Sequence, residues 1–79
     1  MEIVNINQEE IEVYDNIKDD YITYIVTAKV EVTREEETNY SEEYVIIEEV
    51  MDENFNILIN LNTETIARIE EVIIEDLIS

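Results

Sequence analysis

The stretch YITYIVTAKVEVT, residues 21–33, decides the architecture of this chain. Its side chains divide by parity: Ile22, Tyr24, Val26, Ala28, Val30 and Val32 fall on one side, Thr23, Ile25, Thr27, Lys29, Glu31 and Thr33 on the other. Because successive residues of a strand point to opposite faces, this is a long strand with one core face and one mostly wet face. Such a strand needs neighbours in a sheet and another layer over its apolar side.

Upstream, residues 2–14 also read as extended, but the apolar positions switch from even at Val4 and Ile6 to odd at Ile11 and Val13. One uninterrupted strand would put one of these pairs on the wrong side, so a turn or bulge belongs near residues 7–9. Residues 15–19 form a loop in which Asp and Asn supply the turn chemistry that Gly and Pro, both absent, cannot. Downstream, Glu35, Glu36 and Glu37 repel one another and mark a hairpin tip over residues 34–39. Residues 40–51 return as a strand with Val45 and Ile47 on one face and Tyr44, Ile46 and Val50 on the other, which calls for two covered faces or a bulge near Glu48 and Glu49. After a turn at Asp52, Glu53 and Asn54, the alternation of Phe55, Ile57, Ile59 and Leu61 predicts one more short strand.

The chain closes as a helix. Asn62 suits the N-cap, Glu64 lies in the first turn where the helix dipole favours an anion, and Leu61 and Ile66 stand at staple spacing. Ile66, Ile69, Ile73 and Leu77 repeat at helical spacing and form the stripe that packs on the sheet; Glu70 sits oddly within that stripe and is expected to reach out past the helix edge. The expected fold is α+β: one domain over residues 1–79, an antiparallel meander of four to five strands, and a C-terminal helix packed on one face.

Composition narrows function mainly by exclusion. Without Cys or His there is no thiol nucleophile, imidazole base or Cys/His zinc site, and without Gly no phosphate-cradling loop. No cofactor and no enzymatic activity are expected. Paired acids such as Glu9 and Glu10 invite a glycosidase reading, but neighbours on a strand face opposite ways. Asp52, Asn54 and Asn56 match the first three ligand positions of a calcium loop, yet Ile57 stands where that loop needs Gly, so the segment reads as a turn. Four basic residues exclude direct binding to nucleic acid or to anionic membrane. Neither a signal peptide nor a membrane span is evident, and a cytoplasmic location is the default.

The remaining signal is charge. Twenty-two acidic residues against four basic ones leave a net charge of −18, far beyond the magnitude of about 2–8 that solubility asks of a small domain. A hydrophobic content of 46% rejects a disordered acidic tail. Several acids are also placed against stability: Glu75 and Asp76 stand at the helix C-terminus, and Glu71 opposes Glu75 one turn on. The composition, rich in Ile, Asn and Tyr, is that of an AT-rich gene, which ordinarily also enriches Lys, yet only two lysines are present. Alternate residues along a strand face lie about 6.8 Å apart, so rows of Glu can imitate successive phosphates of a nucleic-acid strand. Affinity must also draw on apolar anchors, for which Tyr14 and Tyr21 are candidates.

In size, charge, sheet-plus-helix layout and acid clusters such as Glu35-Glu36-Glu37 and Glu42-Glu43, the chain resembles the small acidic inhibitors of phages and mobile elements: anti-CRISPR proteins, anti-restriction DNA mimics and the uracil-DNA glycosylase inhibitor. The resemblance implies a phage-type nuclease inhibitor acting by protein–protein interaction, a DNA mimic in the basic groove of a nuclease or other DNA-processing enzyme. The candidate contact residues are Glu9, Glu10, Glu12, Tyr14, Asp19, Asp20, Tyr21, Glu35, Glu36, Glu37, Glu42, Glu43, Glu48 and Glu49. The competing expectation is a structural homo-oligomer, down to a homodimer, whose acidity serves solubility.

Overall fold

The computed structural model of the chain describes residues 1–78. Three antiparallel strands, β1 (Glu2–Asp15), β2 (Asp20–Glu35) and β3 (Tyr40–Met51), form one sheet in the order β1-β2-β3. A helix follows, α1 (Thr63–Val72), and continues directly into a wider π-helical turn over Ile73–Ile78. The architecture is thus α+β with a C-terminal helix on one face, but with three strands rather than four to five.

The long central strand obeys the parity read from its sequence. Tyr24, Val26, Ala28, Val30 and Val32 are all buried on the helix side, where Val26 and Val30 are completely shielded together with Ile69 and Ile73 of the helix. Two bulges bring the flanking strands into phase with it. In β1 the pairing slips between Ile6 and Glu9, with Gln8 in the left-handed region at φ 48°, so that Ile6 opposite Ala28 and Ile11 opposite Tyr24 both face the core. In β3 Glu48 is the extra residue between Ile47, opposite Ala28, and Glu49, opposite Thr27. That insertion returns Val50 to the face of Val45 and Ile47, which explains the untidy alternation of this strand.

The fourth strand does not form because residues 52–62 must carry the chain across to the helix. Asp52 and Asn56 close a tight turn through a backbone bond of 3.0 Å, after which pairing with β3 amounts to the bridge between Met51 and Ile57 and a bond from the Leu58 N–H to the Val50 carbonyl. Over residues 55–59 the alternation of apolar residues survives with the inward face reversed, and Leu61 then packs on the core again before the helix. Leu58 packs on the core, while Phe55, Ile57 and Ile59 point to solvent.

Asn62 caps the helix as its sequence predicts, its side-chain Oδ1 accepting from the Thr65 N–H at 2.7 Å. Arg68 pairs with Glu64 at 3.0 Å and also donates to the Tyr14 carbonyl at 3.3 Å, tying the start of the helix to the end of β1. The π-helical turn changes which residue meets the sheet. An α-helix would turn Leu77 inward below Ile73; with more residues per turn, Ile78 packs against the core and Leu77 is left 42% exposed.

Candidate functional site

The helix packs on one face of the sheet, and much of the other, the open face, is exposed. Register places Ile3, Glu31 and Tyr44 in one row across that open face and Asn5, Lys29 and Ile46 in the next. Glu10 and Glu12 stand opposite Ile25 and Thr23, Glu42 opposite Thr33, Glu49 opposite Thr27, and Glu35 opposite Tyr40. Carboxylates thus alternate with large apolar side chains that no element covers: Ile3, Tyr40, Tyr44 and Ile46 are exposed, Tyr44 by 64%. Ile25 and Met51, opposite each other on this face, are shielded and lie outside the main core cluster. Exposed rings, aliphatic side chains and acids are thus mixed on this face, with Lys29 among them, and such exposed apolar side chains are the feature that sets it apart from a purely solvated face.

At one end of the molecule the β1–β2 hairpin projects beyond β3. The turn starts because the Asp15 carboxylate accepts the backbone N–H groups of Ile17 and Lys18, at 2.8 and 3.1 Å, and it ends at Asp19 in the left-handed region. Tyr14 and Tyr21 face each other across the hairpin with ring centroids 5.4 Å apart, edge to face. The Tyr14 hydroxyl donates to Asp19, and that bond to a carboxylate, followed by desolvation and the neighbouring Tyr21, raises the phenol above its ordinary pKa of 10.0. Tyr14 is therefore a fixed, half-buried ring, and Tyr21, 64% exposed, is the more accessible of the two.

The remaining candidates spread along the molecule. Glu36 and Glu37 lie in the β2–β3 turn, at the opposite end from Asp19 and Asp20, in a body of 44 × 23 × 18 Å. Glu9 and Glu43 stand opposite Val26 and Val32, hence toward the helix side, and Glu48 is the bulge residue of β3. Glu10, Glu12, Tyr14, Tyr21, Glu35, Glu42 and Glu49 share the open face. The fourteen residues therefore form no single patch; half of them fall on one face by register, and of these Glu10, Glu12 and Tyr21 also border a hollow with Val72, Asp76 and Leu77 of the helical segment.

The Asp52 segment is a turn. Its carboxylate accepts backbone N–H groups from Asn54 and Asn56 and the Asn56 side-chain amide, at 2.9, 3.0 and 3.3 Å, and these bonds, led by that from the Asn56 backbone, hold its pKa below the ordinary 3.8. Among the described residues no group of three or more acids is placed to hold a metal ion, and no helix is long and apolar enough to cross a membrane.

No family model, curated protein or solved structure matches this chain. The site therefore rests on its own geometry. Sequence reading singled out the tyrosines at the β1–β2 hairpin but passed over Ile3, Tyr40, Tyr44 and Ile46. Their parity relative to the central strand carried the signal for Tyr44 and Ile46, but only the register shows that the face they share is uncovered.

Proposed function

We propose that this chain is a non-enzymatic acidic inhibitor that imitates a nucleic-acid strand and occupies the basic groove of a nuclease or other nucleic-acid-processing enzyme, with the open sheet face as its contact surface. The observation that carries this reading is the interleaving, along that face, of Glu10, Glu12, Glu31, Glu35, Glu42 and Glu49 with exposed Tyr21, Tyr40, Tyr44, Ile3 and Ile46. Carboxylates on a rigid sheet stand at repeating intervals and meet Lys and Arg without a large ordering cost, while the rings supply the desolvated anchors that charge alone lacks. The elongated body suits a groove built for a polymer.

The competing reading, assembly through sheet edges, is opposed by the edges themselves. β1 is kinked by its bulge at Gln8 and carries exposed Glu2, Glu9, Glu10 and Glu12, the devices by which edge strands avoid pairing. The deciding experiment is capture of partners from a bacterial lysate with the immobilised protein, followed by competition with DNA. Basic nucleic-acid handlers should be retained and then released by DNA. A variant joining Glu10→Gln, Glu12→Gln, Glu42→Gln and Tyr44→Ser should lose most of the capture, and Glu35→Gln, Glu36→Gln and Glu37→Gln together report whether the far tip engages. Captured proteins that DNA fails to displace, or undiminished capture by the open-face variant, would reject the proposal.

A further inference from the structure

On the helix side of the sheet, α1 lies closest to β1 and leaves β3 incompletely covered. Two hollows of about 480 and 410 Å³ run between β3 and the helix and share Glu70. Their apolar lining includes Val45, Ile47, Leu58, Ile66 and Ile74, of which Val45, Ile47 and Leu58 are half-buried against the core. Acids stand on both sides, Glu43, Glu48 and Glu49 from β3 and Glu70 and Glu71 from the helix, and among the described residues no Lys or Arg lines either hollow.

We infer that this groove receives a cationic amphipathic helix of a partner protein, apolar side chains inward and Lys or Arg on its flanks. This groove meets the open sheet face at β3, where Glu49 and Tyr44 border both, but the inference rests on the groove's own lining and not on the proposed function. Charge complementarity selects the occupant. A second copy of the chain brings another −18 and is repelled, and a neutral apolar segment would desolvate Glu70 with no compensating cation. A basic amphipathic helix meets both requirements, in the helix-in-groove mode where anchors recur every three or four residues. The position of Glu70 inside the apolar stripe then has a use: half-buried where the two hollows meet, it is the acid a central Lys or Arg would reach.

The test uses the whole chain and two synthetic peptides of identical composition: one with Leu at i, i+3, i+4 and i+7 of a Lys-rich helix, the other with the same residues scrambled. Fluorescence anisotropy in about 0.15 M salt should show the striped peptide binding at least about tenfold tighter than the scrambled one, with amide shifts concentrated at Val45, Ile47, Ile66 and Ile74. Glu70→Lys and the exposed Glu71→Lys should each weaken the striped peptide by about tenfold, while Glu37→Lys, an equal charge change at the distant β2–β3 turn, should alter it by less than about threefold. Circular dichroism verifies folding, and Glu71→Lys keeps the test decisive if Glu70→Lys unfolds. Equal binding of both peptides, or equal loss from Glu37→Lys and Glu71→Lys, would reduce the effect to general charge attraction and overturn the inference. Dimerisation of the chain through this groove would overturn it as well.

Discussion

Single residues here carry strain that glycine would relieve, in a chain that has none. Gln8, Asp19, Asn39 and Phe55 all take positive φ, and the two hairpin turns each end on such a residue, Asp19 and Asn39, whose short polar side chains tolerate that region best. Phe55, at φ 64° and 63% exposed, has neither that tolerance nor much burial to offset the strain. Left-handed backbone costs about 1–2 kcal/mol, and glycine returns roughly half of that as unfolded-state entropy. Phe55→Gly should therefore stabilise the protein by about 0.5–1 kcal/mol, read from the urea midpoint at constant slope. The pKa shifts set the ends of the pH range. Asp52 is depressed in the folded state, so its stabilisation is present above the unfolded value of 3.8 and is lost as pH falls through the lower folded value. The Tm deficit of Asp52→Ala should accordingly be widest near neutrality and narrow in acid. Tyr24 is raised by burial and, to a lesser degree, by Asp15, so its contribution holds below pH 10.0 and disappears as pH rises through its higher folded pKa. Alkaline unfolding followed at 295 nm should move to higher pH in Tyr24→Phe.

At the scale of elements, the helix illustrates what stabilises so small a fold. Its isolated propensity is modest, with Thr, Ile and Val frequent among its residues, so it depends on its cap and on its buried stripe. Asn62→Ala should lower stability by about 1 kcal/mol in urea titrations, since it leaves the Thr65 N–H without its side-chain acceptor. Ile69→Ala or Ile73→Ala should remove about 2–5 kcal/mol, because both are fully buried. The last turn provides a sharper check: the π-helical geometry makes Ile78→Ala more damaging than Leu77→Ala, whereas a regular α-helix reverses that order. The bulges act at the same level. Deleting Glu48 would remove the extra residue and leave Ile47, Glu49 and Val50 alternating as a regular strand with Val50 still on the core face, so thermal melts should show little loss.

For the whole molecule, charge and shape dominate. The surface of 5,894 Å² exceeds the roughly 5,000 Å² expected for a compact protein of this mass, as follows from an extent of 44 Å along the sheet. Even so, −18 leaves one net negative charge on roughly 330 Å² of surface, a self-repulsion that favours the expanded unfolded chain. Because screening acts within about 8–10 Å at physiological salt, the Tm should rise steadily as sodium chloride goes from near zero to about 0.5 M. A calorimetric Tm that ignored salt would mean that the acids are already compensated within the fold.

Much of this architecture follows from side-chain parity alone. The central strand, the interruption of β1, both hairpin turns and the helix start at Asn62 are legible because alternation and capping are local, governed by residues within a few positions of one another, whereas the pattern of β3 allows either a bulge or two covered faces until its register is known. The tyrosine pair at the β1–β2 hairpin is accessible to the same reasoning. Three features required the assembled chain. The alternating segment cannot reveal that its inward face is reversed over residues 55–59, because the partner edge and the route to the helix lie elsewhere in the sequence. A heptad-like stripe cannot tell that its last turn widens to seat Ile78 in place of Leu77. Which sheet face stays open, and how far the helix stands from β3, are set by packing between elements distant along the chain, and both surfaces on which function is proposed depend on that packing.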